Sequence, residues 1–247
     1  MTQKEWFEEW FDETYLEVYQ HRNEEEAKKA LEFVIKALEL ASQDKILDLC
    51  CGAGRHSLAL ANAGFENVLG VDLSSILIAK AKEEAEKNNL KINFEICDMR
   101  HLPYKNEFDV VLSFFTSFGY FENDSENETV ISSISQVLKP GGKVFMDHIN
   151  SEFQTKNLVP YSERELEGMK IIEKRKIEDS RVKKDITIIK DDGNEKTYSE
   201  SVRLYSPEEL ENMFGKYDIR IYEKFGNYDG TPFTPNSLRM ILIGKRS

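Results

Sequence analysis

Three observations in the 247-residue sequence predict an α/β fold built on a doubly wound, mainly parallel sheet. From residue 45 onward, short apolar runs alternate with helical stretches. The runs are close to continuously apolar, as strands covered on both faces must be. The first of them, "ILDL" (46–49), passes through "CCGAGRHS" (50–57) straight into a helix. That outline of strand, tight loop and helix places a ligand at the carboxyl ends of the strands.

Ahead of the sheet, residues 5–20 put Trp6, Phe7, Trp10, Phe11, Tyr15, Val18 and Tyr19 on one face at helical spacing. A second helix follows, opened by the capping-box-like pair Asn23 and Glu26, with Ala27, Ala30, Leu31, Val34 and Leu38 inward. Strands are predicted over 45–49, 67–71, 92–96, 108–115 and 143–149. Helices are predicted near 55–63, 75–88 and 125–138, with Gly64 and Asn88–Asn89 at helix ends. After Asn150 the alternation stops. Residues 169–178, 181–190 and 196–204 read as three antiparallel strands, with turns at Glu178–Asp179–Ser180 and Asp191–Asp192–Gly193–Asn194. Ser206 caps a short helix with Pro207 at its first position, and two strands near 217–225 and 238–245 complete the sheet. The predicted organisation is an N-terminal helical cap (1–42), a ligand-binding core (43–150), an inserted three-stranded antiparallel lid (151–205) and the completion of the core sheet (206–247).

Composition narrows the function. Hydrophobic residues make up 40% of the chain and charged residues 32%, a globular balance, and no apolar run is long enough to span a membrane. The acidic, aromatic start "MTQKEWFEEWFDETY" lacks the basic and apolar regions of a secretory signal, so a cytoplasmic location is expected. A net charge of −12 argues against a nucleic-acid-coating role. Cys50, Cys51 and Cys97 form no C-x-x-C pair and have no histidine at ligand spacing, so no metal site is expected and all three read as reduced packing residues.

The loop at 50–57 is compatible with two cofactor classes. Gly52 and Gly54 let the backbone approach a ligand, and the helix that follows offers free N–H groups. "GAGRHS" nearly fits a dinucleotide fingerprint, and Asp72 stands 18 residues past Gly54, so an NAD-dependent oxidoreductase is one reading. Against it, Asp48 would sit beside a pyrophosphate, whereas an α-ammonium group would welcome a carboxylate. Asp98 in "EICDMR" follows the third strand, where it can accept from an adenine amino group.

With "LDLCCGAGRHS", "GVDLSSILIAKAKE", "CDMRHLP", "FDVVLSFFTSFGYF", "VLKPGGKVFMD" and "YDGTPFTPNSLRMILIGKR" in this order, the sequence resembles the class I S-adenosylmethionine (SAM)-dependent methyltransferases over about residues 15–247. The resemblance implies a seven-stranded sheet with the last strand antiparallel. It implies that Gly52 and Gly54 line the methionine part of SAM and that Asp48 lies near its ammonium group. Asp72, with Leu73 after it, would bind the ribose; Asp98 and Met99 would hold adenine, and Phe114 would contact the methionine moiety. Tyr15 and Tyr19 would close over the cofactor; the position of Arg55 allows contact with the cofactor's carboxylate or with a substrate anion. Cys50 replaces the first glycine of the family's motif, and no D/N-P-P-Y/F follows strand four, which argues against adenine-base methylation.

Methyl transfer from a sulfonium is an in-line displacement that needs alignment and exclusion of water more than covalent catalysis. His148, at the end of the fifth strand, is the candidate general base. His21, His56 and His101 read as surface or satisfied core residues. The lid is expected to choose a small-molecule acceptor, with Tyr228 and Phe233 in "FGNYDGTPFTPNS" (225–237) as further walls. Seven basic residues in "KIIEKRKIEDSRVKK" (170–184) read as the wet face of the lid, the alternative being an RNA contact. A non-catalytic SAM-binding protein is the remaining alternative, and the aromatic face of residues 6–11 would suit a homodimer contact.

Overall fold

The computed structural model describes residues 5–19 and 24–247. The N-terminal segment forms two short helices, α1 (Trp6–Trp10) and α2 (Glu13–Val18), instead of one. Asp12 makes the break: its carboxylate accepts from the N–H groups of Thr14 (2.8 Å) and Tyr15 (3.3 Å) and so caps α2. The next helix, α3 (Glu24–Ala37), buries Ala27, Ala30, Leu31 and Val34 as its periodicity requires, and Leu38 just past its end is buried with them. Asn23 of its expected capping pair and His21 lie outside the described residues.

Five parallel strands alternate with helices: β1 (Ile46–Leu49), α4 (Arg55–Asn62), β2 (Val68–Asp72), α5 (Ser75–Lys87), β3 (Asn93–Ile96), β4 (Phe108–Ser113), α6 (Asp124–Val137) and β5 (Leu138–Ile149). The chain then forms α7 (Ser151–Asn157), a separate antiparallel sheet, α8 (Pro207–Gly215), β10 (Ile219–Phe225) and β11 (Arg239–Arg246). The main sheet runs β10-β11-β5-β4-β1-β2-β3, with β11 antiparallel to both neighbours. Strand order reverses between β1 and β4, the switch point at which doubly wound sheets hold ligands. One apolar layer joins the sheet to α3 and α4 and another joins it to α6 and α8, which fixes the strand ends that build the site. Ser206 and Glu209 form a reciprocal capping box at α8, with Pro207 at its first position.

The lid has four strands rather than three: β6 (Tyr161–Leu166), β7 (Met169–Glu178), β8 (Arg181–Lys190) and β9 (Glu195–Arg203), paired in chain order. The extra strand, "YSEREL", is short, half exposed and at the sheet edge, so it lacks the apolar run that betrays a buried strand. Asp179 and Ser180 turn β7 into β8 with φ of 53° and 55°, the left-handed pair of a two-residue hairpin. Trp10 and Val18 pack with Ile171, Ile186, Ile188 and Tyr198 in a cluster of their own, so α1 and α2 adhere to the lid. Trp10 is buried in this cluster, whereas Phe7 is buried against the main core.

Candidate active site

The carboxyl ends of β1, β2 and β3 open into a cavity of about 980 Å³, roofed by α1, α2 and the lid. Every expected cofactor residue except Gly54 lines it, from Tyr15 and Tyr19 through Asp48, Cys50, Gly52, Arg55, Asp72, Leu73, Asp98 and Met99 to Phe114. Parallel pairing explains the convergence: Asp48, Asp72 and Asp98 come from three adjacent strand ends.

The three carboxylates differ in their settings. Asp48 is buried and accepts from Ser57 Oγ at 2.5 Å; burial pushes its pKa up to about 7, against the pull of that hydrogen bond. Asp72 accepts one N–H on each oxygen, from Ser74 and Gly52 (both 2.9 Å), leaving each a lone pair for a hydroxyl; burial raises its pKa as well. Asp98 is gripped by the Arg100 guanidinium, Nη2 to Oδ2 at 2.7 Å and Nε to both oxygens, and also accepts the Arg100 N–H at 2.8 Å. Partial burial works against the Asp98 carboxylate, yet the bonds from Arg100 hold its pKa below the ordinary value. Arg100 was missed because nothing in "CDMR" distinguishes a fork onto Asp98 from a surface arginine.

The glycine positions divide. Gly52 has a φ of 56°, and a Cβ there would meet only Leu77 at 3.9 Å, so its backbone faces open cavity. Gly54 does not line the cavity; a Cβ there would strike the Phe94 ring at 2.8 Å and Ala81 at 3.0 Å. It is a packing glycine that lets α4 close on β3. Cys50 adopts a φ of 58° despite its side chain and sets Sγ 3.4 Å from Met99 Sδ. Burial, then Asp72 and Asp48, push its thiol well up, as a packing residue requires.

His148 falls outside the cavity. Its ring is fully buried beside Phe118 and Tyr205, Nε2 lies 3.2 Å from the Arg203 carbonyl, and burial lowers its pKa to about 4. It faces the core side of β5 and has no path to an acceptor. Phe233 packs against the core and also does not line the cavity. Tyr228 acts one layer back: its hydroxyl donates to Asp147 Oδ2 at 2.6 Å.

Asp147 organises the far end of the site. Fully buried at the end of β5, its Oδ2 accepts from Arg239 Nη1 (2.9 Å), Tyr228 and the Phe115 N–H (3.1 Å), while its carbonyl accepts the Thr116 N–H (2.9 Å). Phe115 and Thr116 both hold left-handed φ, 54° and 61°, which costs about 1 kcal/mol each. Those bonds offset the strain and fix the turn after β4 as cavity wall, with Arg55 and Arg239 over the Phe115 ring, each at 4.7 Å. A lone aspartate in the apolar run "KVFMDHI" was the available signal.

Across the cavity the lid contributes Arg175, Val182, Lys184, Glu200 and Val202. Lys184 Nζ meets Glu200 Oε2 at 2.5 Å and donates to Tyr19 Oη at 2.7 Å, and Trp10 Nε1 donates to Glu200 Oε1 at 2.6 Å. Tyr19 is therefore bound to the lid. The basic stretch at 170–184 divides along the strands. Arg181 is buried, donating to the carbonyls of Gly119, Tyr120 and Phe121 and to Ser201; Lys176 and Lys183 pair with Glu178. The expected wet face holds for Lys174 and Lys176, and not for Arg181. His101 is exposed, whereas His56 is buried in the cavity wall. Among the described residues there is no metal-ligand cluster and no helix long and apolar enough to cross a membrane.

Comparison with known proteins agrees with this geometry. Residues 46–142 match the family model described as a methyltransferase domain. The ubiquinone biosynthesis O-methyltransferase of Coxiella burnetii is 36% identical over 110 residues, 44% of this chain and 45% of that one. The chain thus spans about half the length of the curated relatives it matches. Two solved structures follow the whole fold. A SAM-dependent methyltransferase from Clostridium acetobutylicum superposes with a TM-score of 0.82 at 21% identity, covering 95% of this chain and 97% of that one. A SAM-bound amino pentose methyltransferase from Micromonospora echinaspora gives 0.71 at 19%, with the same coverage. The fold is the one these SAM-dependent methyltransferases share, and residues 46–142 match the methyltransferase-domain model.

Proposed function

We propose that this chain transfers a methyl group from SAM to a nitrogen or oxygen of a small molecule held between the end of the core sheet and the four-stranded lid. The observation that carries the reading is one continuous cavity: three carboxylates at adjacent strand ends form one half, and the Phe115–Thr116 turn and the lid form the other.

The donor set fits SAM. Asp72 would take the two ribose hydroxyls, Asp98 the adenine amino group and Asp48 the ammonium, with the Gly52 backbone alongside. Bound SAM supplies an electrophilic methyl on a sulfonium. The protein's part is to align the acceptor and to keep water out, which the roof of α1, α2 and lid accomplishes. With His148 removed from the site and both oxygens of Glu200 committed to Trp10 and Lys184, the far half offers little general-base capacity among the described residues. A carbon acceptor would need such a base, whereas a neutral amine brings its own lone pair; nitrogen asks least of this site, and oxygen follows. The names of the relatives, an O-methyltransferase and an amino pentose methyltransferase, support the same two acceptor atoms. A nucleic-acid acceptor is disfavoured by the net charge of −12 and by the commitment of Arg181 and Lys183 within the lid. Three unbridged cysteines favour a cytoplasmic location.

The test is calorimetric titration with SAM, S-adenosylhomocysteine and NAD, followed by a screen of aminosugars and small hydroxylated acceptors read by S-adenosylhomocysteine release. Binding of both adenosyl ligands and release with at least one acceptor is the expected result. Binding of NAD alone would sink the proposal, and SAM binding without turnover across the screen would leave a binding protein in its place.

A further inference from the structure

His56 is the residue of this site whose state the mechanism above leaves unexplained. It sits in the first turn of α4 and forms part of the cavity wall, yet it is 6% exposed and its Nε2 meets no hydrogen-bond partner. A buried polar nitrogen with no partner costs about 1–3 kcal/mol, so its persistence calls for a role. The ring is held firmly: it stacks on Phe114 at 4.0 Å with 11° between planes and lies 5.3 Å from Phe115. The Phe115 ring lies over this corner on a backbone that Asp147 fixes, so a turn of that side chain alone would uncover Nε2.

The surroundings define which ligand atom fits. Burial, then Arg55 and Arg239, keep the imidazole neutral by pushing its pKa well down, so positive charge is concentrated at this corner. Asp48 and its Ser57 partner lie on the neighbouring side of the same loop and helix, suited to an ammonium. Asp98 and Met99, the adenine end, belong to β3 on the other side of β1. A group bound here is anionic, close to an ammonium and distant from adenine.

We propose that His56 Nε2, as an N–H donor, binds the carboxylate of the cofactor's methionine moiety once Phe115 shifts. The inference rests on the SAM reading above. It makes His56 a cofactor-binding residue, and its neutral tautomer the functional one.

The test is a cycle of protein variants against ligands. Wild type, His56→Phe and His56→Gln are titrated calorimetrically with SAM and with decarboxylated SAM, which keeps the ammonium and sulfonium and lacks only the carboxylate. His56→Phe preserves the stack and removes the donor; His56→Gln keeps a donor near the Nε2 position. The expected result is a loss of about tenfold or more in SAM affinity for His56→Phe, the worth of one hydrogen bond to a charged group, with recovery of most of it in His56→Gln. Decarboxylated SAM binds all three proteins within about twofold, which also shows that the variants are folded. Equal weakening of both ligands, or an unchanged SAM affinity in His56→Phe, overturns the inference. If the wild type binds neither ligand, the cofactor reading itself falls, and this inference with it.

Discussion

The two halves of the cavity are built by different kinds of contact. The half proposed to hold the cofactor is local: Asp48, Gly52, Asp72 and Asp98 each lie within a few residues of a strand end, and parallel pairing aligns them. The acceptor half is assembled from far along the chain. Asp147 gathers Phe115, Tyr228 and Arg239; Arg181 reaches back to residues 119–121; Glu200 reaches Trp10. A shared cofactor can be served by short motifs, whereas an individual acceptor needs a wall whose parts vary independently.

The largest expected effect tests the cofactor half. Asp72→Ala should lower SAM affinity by about a hundredfold or more, two hydrogen bonds to a charged group being lost, with a smaller fall in thermal midpoint as the Gly52 and Ser74 N–H groups lose their acceptor. Titration against the wild type decides it, and a change under about threefold would remove Asp72 from the site. The counterpart in the acceptor half is a stability effect. Arg181→Ala strips donors from three buried carbonyls, at a cost of about 3 kcal/mol or more in urea unfolding, while SAM binding to the folded variant persists. Equal loss of both would show that the halves are not separable.

A pH dependence distinguishes the halves more finely. Burial raises the folded pKa of Asp48 to about 7 from the ordinary 3.8, so between these values the folded state holds a proton that the unfolded state has released. Its contribution to stability therefore falls as pH rises through that window. An ammonium ligand favours the ionised form, so SAM affinity should rise about tenfold between pH 6 and pH 8, and Asp48→Asn should flatten that slope. A slope that survives the substitution would assign it elsewhere. The smallest effect concerns the loop itself. Cys50→Gly relieves a left-handed side chain at the cost of a more flexible unfolded chain, for a net gain of less than about 1 kcal/mol in thermal unfolding.

The same division explains what was legible in the sequence. Apart from β5, which begins at Leu138 rather than Lys143, strand and helix limits in the core could be read to within about two residues because their signals, apolar runs and caps such as Ser206–Pro207, are local. The convergence of Asp48, Asp72 and Asp98 on one cavity was legible for the same reason. Gly54 was misassigned because a glycine that makes room for Phe94 looks in sequence like one that makes room for a ligand. His148 was misassigned because neighbours on a strand face opposite sides: Asp147 turns towards the site and His148 towards Tyr205. His56 was read as a bystander although it shares the loop motif, since stacking on Phe114 joins residues from two different strand ends. The edge strand β6 and the break at Asp12 were missed because neither interrupts a hydrophobic pattern.

Because α1 and α2 adhere to the lid through Trp10, Val18 and the β8 isoleucines, and hold to the core through Phe7 against Phe121 and the 2.7 Å bond from Ser74 Oγ to the Phe11 carbonyl, roof helices and lid open only together. Two segments far apart in sequence then share a single opening free energy, and their amides should exchange with solvent together. Product residence time becomes a property of that body: loosening Ile186 in the lid quickens departure from a pocket it does not line.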